Sequence, residues 1–196
     1  FLSICAFWQL YDNVVPKLLK YTFDIPDSTA GYIMALDNVL AVFLLPVFGM
    51  LSDKCNFRLG KRTPFIIVGT ALAVSLMLVL TVTVKGGSFA GFMVVLALLL
   101  VAMGLYRSPA VALMPDVTPK PLRSKANAVI NLMGALGGVF TLGVTSVLVR
   151  RAADGTEDYT YLFYAVAFLM VVAVALLVCT IRERKLAREV ADAEAA

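Results

Sequence analysis

Six apolar stretches follow one another along this chain with only short polar breaks between them, at residues 1 to about 19, 29–51, 64–84, 91–114, 126–149 and 161–181. Each is at or near the ~20 residues that a helix needs to cross a hydrocarbon core. Backbone N–H and C=O groups find no water in lipid, so such segments must be helical. Charged residues make up 15% of the chain, where a soluble domain carries about a quarter. The expectation is an all-α membrane protein: a six-helix bundle over residues 1–181, then a charged tail over residues 182–196. The chain begins inside an apolar stretch, FLSICAFWQLY, without a basic leader. That start reads as a truncated first span rather than a cleavable signal.

Turn signals separate the spans at Ile25-Pro26-Asp27-Ser28, Lys85-Gly86-Gly87-Ser88, Pro115 through Pro121, and Asp154-Gly155. Asp27 or Ser28 is placed to cap the second helix, and Pro64 suits the first turn of the third. The loops after even-numbered spans hold Lys54, Arg58, Lys61, Arg62, Lys120, Arg123 and Lys125, and the tail adds Arg182, Arg184, Lys185 and Arg188. The opposite side has Lys17, Lys20, Lys85, Arg150 and Arg151, offset by five acids. The positive-inside rule therefore predicts cytoplasmic even loops, with the N-terminus and the tail on the same side of a plasma (inner) membrane.

Several functions drop out. The basic residues are not spread along the chain but gather mainly in its loops and tail, which argues against nucleic-acid binding. There is no histidine, and Cys5, Cys55 and Cys179 are far apart, which leaves no metal site of the usual Cys/His kind. No nucleophile–base constellation or phosphate-binding glycine loop is present, so an enzyme is not expected, and no cofactor.

Three charges fall inside spans: Asp12, Asp37 and Arg107. An ion near the bilayer centre costs at least ~2.5–3.5 kcal/mol on insertion scales, so each needs a cavity or a partner. Asp12 lies eight residues before the outer end of span one, and Asp37 eight residues after the start of span two. At 1.5 Å per residue both sit roughly 12 Å below the outer surface. Two carboxylates at one depth can hold a cation or a proton; equally, each can hydrogen-bond a neighbouring helix. Trp8, Tyr11, Asn13 and Asn38 add aromatic faces and amides suited to hydroxylated rings, although interfacial anchoring also explains Trp8. Arg107 lies near the middle of span four, two residues before Pro109, which frees backbone carbonyls there. It can meet a substrate oxygen, Asp37, or a carboxylate elsewhere. Span five carries Asn127 and Asn131, with Gly134 and Gly138 as a Gly-x-x-x-Gly. That spacing reads as close helix packing, with Asn131 the one candidate substrate contact.

The hairpin at residues 49–64, GMLSDKCNFRLGKRTP, resembles the Gly-x-x-x-Asp-Arg/Lys-x-Gly-Arg/Lys-Arg/Lys motif of the major facilitator superfamily, matched by Gly49, Asp53, Lys54, Gly60, Lys61 and Arg62. Five residues, CNFRL, stand where the general pattern has one, which is similar to the glycoside–pentoside–hexuronide cation symporters and the sucrose–proton carriers. MALDNVLAVFLLPVFGMLSD and YRSPAVALMPDVTPKPLRSKANAVINLMG carry the same resemblance. It implies the N-terminal half of a twelve-helix carrier, a 3+3 inverted repeat whose C-terminal six-helix half is missing here. It implies coupling-cation acids at Asp12 and Asp37, with H⁺ or Na⁺ as the ion. It also implies a cytoplasmic gate built from the hairpin residues with Asp116 and Arg123, in which Asp53 braces helix ends and Lys61, Arg62 and Arg123 are candidate partners. An anion at a helix C-terminus is unfavourable unless a cation compensates.

The expected function is sugar or glycoside uptake by cation symport and alternating access. The alternatives are a drug or metabolite exporter of the same superfamily, and a non-transporting membrane interaction protein or assembling half-carrier.

Overall fold

The computed structural model describes residues 1–55, 57, 60–151 and 157–195. It is nearly all helical: α1 Leu2–Tyr21, α2 Asp27–Lys54, α3 Thr63–Lys85, α4 Phe89–Val117, α5 Arg123–Leu148, α6 Thr160–Thr180 and α7 Glu183–Ala195. A 3-10 turn at Lys120–Leu122 leads into α5, and the two-residue strands β1 Arg150–Arg151 and β2 Glu157–Asp158 pair antiparallel before α6. Arg58, Asp154 and Gly155, used above as loop residues, lie outside the described residues.

The helix ends follow local chemistry. Pro64 occupies the first turn of α3, where its missing N–H costs nothing. Ser88 caps α4, its Oγ accepting from Gly91 N at 3.2 Å. The cap expected for α2 is different: Pro26, pre-set at φ −58°, holds the N-cap position without a side-chain bond. Asp27 instead accepts from Lys20 Nζ at 2.8 Å, which ties the end of α1 to the start of α2.

Among the described residues, five helical segments are long and apolar enough to cross a membrane, the fourth of them running Lys120–Leu148. The first expected span is not among them. In α1, Gln9, Asp12, Asn13, Lys17 and Lys20 dilute an apolar stretch that is nonetheless largely buried, with Phe7, Leu10, Tyr11, Val14 and Leu19 each at 1% exposure or less. This helix is shielded by protein rather than adapted to lipid.

α3 and α4 share the largest interface, followed by α1 with α5, α2 with α4, and α3 with α6. Glycine permits the closest crossings. A Cβ on Gly69 would sit 2.8 Å from Tyr106 N, so α3 and α4 meet backbone to backbone there. Tyr106 and Ser3 hydroxyls share a buried 2.7 Å hydrogen bond that joins α4 to α1. By contrast, α2 and α5 leave large apolar side chains exposed, among them Tyr32, Leu36, Val39, Phe43, Leu132, Leu136 and Val139. These two helices need a further apolar environment that the chain itself does not supply.

Candidate functional site: a charged cavity and a motif-end network

Among the described residues, two polar constellations gather the expected site residues, one within the bundle and one at the end that carries the residue 49–64 hairpin. The first is a small cavity of about 20 Å³ between α1, α2 and α4, lined by Trp8, Asp37 and Arg107 among apolar neighbours. That is room for about one water. Asp37 is 8% exposed, and its Oδ1 has no hydrogen-bond partner. A buried carboxylate oxygen without a donor is costly, which makes Asp37 the conspicuous polar group of this cavity. Arg107 places its guanidinium 5.4 Å from the Trp8 ring centroid. Trp8 is itself fixed by edge contacts with Phe7 and Tyr11, at 5.5 and 5.4 Å between centroids. The Trp8 Nε1 and the Tyr11 hydroxyl are likewise buried and unpartnered. Opposite charges thus face one cavity without closing on each other.

The other expected site residues lie apart from this cavity. Asp12 is exposed on α1 and does not line it. The Asn13 side chain donates to Gln9 O at 2.7 Å, and Asn38 and Asn131 are exposed on α2 and α5.

At the motif end, Arg62 is the hub. Its guanidinium reaches Asp53 at 2.5 Å, Asp116 at 2.9 Å, Ser52 Oγ at 2.5 Å and Gly49 O at 3.3 Å. The C-termini of α2 and α4 therefore meet one cation at the N-terminus of α3, which offsets both carboxylates and both helix-end dipoles. Of the three partners expected for Asp53, Arg62 takes the role. Arg123 donates to Pro115 O at 3.1 Å and Thr118 O at 3.2 Å. Lys54 and Lys61 are exposed. Gly60 adopts φ +130°, and its Cα borders the Glu183 carboxylate, so neither its conformation nor the space admits a side chain.

Glu183, at the start of α7, belongs to this network although nothing in the sequence reading singled it out. It is 4% exposed. Its carboxylate accepts from the backbone N–H groups of Lys61 at 2.6 Å, Arg62 at 3.0 Å and Thr63 at 2.8 Å, and from Thr63 Oγ1 at 2.7 Å. These are the orphan donors of the α3 N-terminus, satisfied from a helix 120 residues further along. The available signal was an acid opening a short amphipathic segment within RERKLAREV, with Leu186 and Val190 on its inner face. Glu183→Ala is expected to cost about 2–3 kcal/mol at this site, since several charge-assisted bonds are lost together. Hydrogen exchange should show faster amides at 61–63 and throughout α7; unchanged protection there would contradict the cap.

The Major Facilitator Superfamily family model matches residues 1–196, the whole chain. The chain is 28% identical over 190 residues to the human proton-associated sugar transporter A, covering 88% of this chain and 25% of that protein. It is 25% identical over 151 residues to sucrose transport protein SUC3 of Arabidopsis thaliana, covering 67% and 25%. Identity to the proline/betaine transporter of Salmonella typhimurium is 27% over 165 residues, covering 82% and 30%. The chain thus spans between a quarter and a third of the length of these relatives. No solved structure matches it. Membrane-length apolar helices, the 49–64 hairpin and the full-length family match agree, and the chain belongs to the Major Facilitator Superfamily.

Proposed function

We propose that this chain forms the N-terminal six-helix half of a sugar– or glycoside–cation symporter that works by alternating access, with H⁺ as the coupling ion and Na⁺ as the alternative. The observation that carries the reading is the buried, unpartnered Asp37 oxygen facing the cavity that Arg107 and Trp8 also line. A carboxylate in that position can take a proton or cation, and an arginine beside an indole can take oxygens of a hydroxylated ring. At about 20 Å³ the cavity suits an ion or a water, so a sugar needs a second wall. The exposed faces of α2 and α5 are where a second six-helix half would supply it. Helix pairing supports the inverted repeat: α1 against α5 is mirrored by α4 against α2, and α3 against α4 by α6 against α1. The sucrose and proton-associated sugar relatives support the substrate class and the proton. In this reading the motif end, the N-terminus and α7 face the cytoplasm of a plasma (inner) membrane, which the excess of basic residues at that end supports.

A second reading is favoured by the charge layout. A carboxylate and a guanidinium separated across a cavity also complement a zwitterion, which fits the proline/betaine relative.

The test is uptake into proteoliposomes by a carrier containing this chain and its second half, using labelled disaccharides and labelled betaine, with and without a pH gradient. Gradient-driven disaccharide accumulation is expected in the native protein. Asp37→Asn should reduce it to equilibration while leaving counterflow exchange intact. Accumulation that survives Asp37→Asn would remove the coupling role, and accumulation of betaine alone would move the substrate class to zwitterions.

A further inference from the structure

α2 and α4 each carry a proline well inside an unbroken helix, Pro46 in the first and Pro109 in the second. A proline has no N–H to give, so Val42 O and Leu105 O each lose the helical donor four residues ahead. Membrane helices tolerate this where neighbouring groups support the weakened turn. Here the two turns support each other. Ser108, the residue before Pro109, donates its hydroxyl to Leu45 O, the carbonyl before Pro46, at 2.7 Å. A helical serine or threonine commonly bonds a carbonyl of its own preceding turn, as Ser75, Thr83 and Thr180 do with Ala71, Leu80 and Leu176. Ser108 gives its proton to another helix.

Packing at this point leaves little slack. A Cβ on Gly49 would lie 3.3 Å from Ser108 Oγ, and one on Gly104 would lie 3.4 Å from the Phe48 ring. On another side α4 rests on α3, where a Cβ on Gly69 would lie 3.1 Å from the Leu105 carbonyl carbon. The weakened turn of α4 is therefore held by both α2 and α3. Before the prolines, α2 carries Asp37 and α4 carries Arg107, the two charges that line the small cavity. Beyond them, α2 carries Asp53 and α4 carries Asp116, both bound to Arg62.

We propose that Ser108 is a positioning residue: its bond to Leu45 O pins α2 to α4 at their prolines, and through this joint the charge of the cavity is coupled to the Arg62 network. The proposal rests on the alternating-access part of the reading above, and not on its substrate or its ion. Proline turns are where helices bend. Two helices pinned at that level spread or close at both ends together, as scissors do. Attraction between Asp37 and Arg107 draws them together on the cavity side, and Arg62 draws them together at the motif end. Neutralising Asp37 removes the first attraction, so the pinned pair loosens at both ends. Without the pin, each end relaxes alone.

The experiment is hydrogen exchange on the carrier that contains this chain and its second half, without substrate. It compares Asp37→Asn with the native residue in three backgrounds: native, Ser108→Ala and Gly49→Ala. Asp37→Asn is expected to speed exchange in the last turns of α2 and α4 by at least about fivefold, the lower end for coupled sites. Ser108→Ala should abolish that acceleration, and Gly49→Ala, whose methyl crowds the same hydroxyl from α2, should reduce it. Ser75→Ala, which removes a hydroxyl bond within α3, should leave it intact. Equal acceleration in all three backgrounds overturns the proposal, and so does its absence from the native background. A Ser108→Ala variant that speeds α6 as much as the motif end also overturns it, because the bond then serves general stability only. No ion gradient enters the measurement, so uptake that survives Asp37→Asn removes the coupling role of that residue while the joint stands or falls on exchange alone.

Discussion

Gly137→Ala is expected to destabilise the bundle by about 2–3 kcal/mol, the largest effect of any single methyl added to α5. The α5 residues Gly134, Gly137, Gly138 and Thr141 form one stripe, and it lies against Leu2, Cys5, Ala6 and Gln9 of α1. At Gly137 an added Cβ would overlap the Leu2 carbonyl oxygen and lie 3.0 Å from its carbon and 3.1 Å from Ala6 N. Those are backbone atoms of a helix, so relief requires the whole of α1 to move. Moving it would also break the Thr141 Oγ1 donation to Ala6 O at 3.0 Å, a buried bond. The helix-propensity gain of Ala over Gly, about 1 kcal/mol, is too small to offset this. The neighbouring glycines give the internal control. Gly138 would meet only Gln9 Oε1 at 3.6 Å, an ordinary contact, so Gly138→Ala should be neutral or mildly stabilising. Gly134 would meet Cys5 Sγ at 3.0 Å, a side chain that can turn, and should fall between. Thermal unfolding of the three variants in detergent, followed by circular dichroism, ranks them. If Gly137→Ala and Gly138→Ala melt together, the close crossing of α1 and α5 is wrong.

That glycine stripe shows what kind of information a sequence carries. The spacing of Gly134 and Gly138 announced a close helix approach, but the tightest contact falls on Gly137, between them, because the crossing point depends on how α1 is rotated. The apolar runs gave helices whose observed ends lie within about three residues of expectation, since lipid leaves the backbone no other option. Asp37 and Arg107 were legible for the same reason: a charge in an apolar run stands out. Asp12, equally conspicuous, turned out to be exposed and outside the cavity. Its depth could be counted along the helix, whereas its azimuth depends on tertiary packing. Asn131, expected as the one substrate contact of the span-five stripe, lies exposed on α5. Glu183 was hidden by the opposite circumstance. In a tail of alternating charges one more acid carries no signal, and its role exists only because α7 folds back onto a helix start 120 residues away.

Arg62→Met should cost about 3 kcal/mol, and pairing it with Asp53→Asn and Asp116→Asn should recover at least half of that. The Arg62 side chain is 8% exposed, and each of its three guanidinium nitrogens meets an acceptor on α2 or α4. Methionine fills similar volume but leaves two carboxylates beside two helix C-termini with no cation between them. Asp53 and Asp116, at 58% and 38% exposure, can rehydrate in part, which holds the loss near the lower end for a broken buried pair. Neutralising both acids removes the repulsion and restores most of the balance, because an amide tolerates a helix C-terminus better than a carboxylate does. Chemical unfolding of the single, double and triple variants in detergent measures each step. A triple variant no more stable than Arg62→Met would mean that the arginine acts through packing and not through charge. In the proposed gate, a contact of Asp53 to a second six-helix half would have to compete with Arg62, which already holds that 58% exposed carboxylate at 2.5 Å.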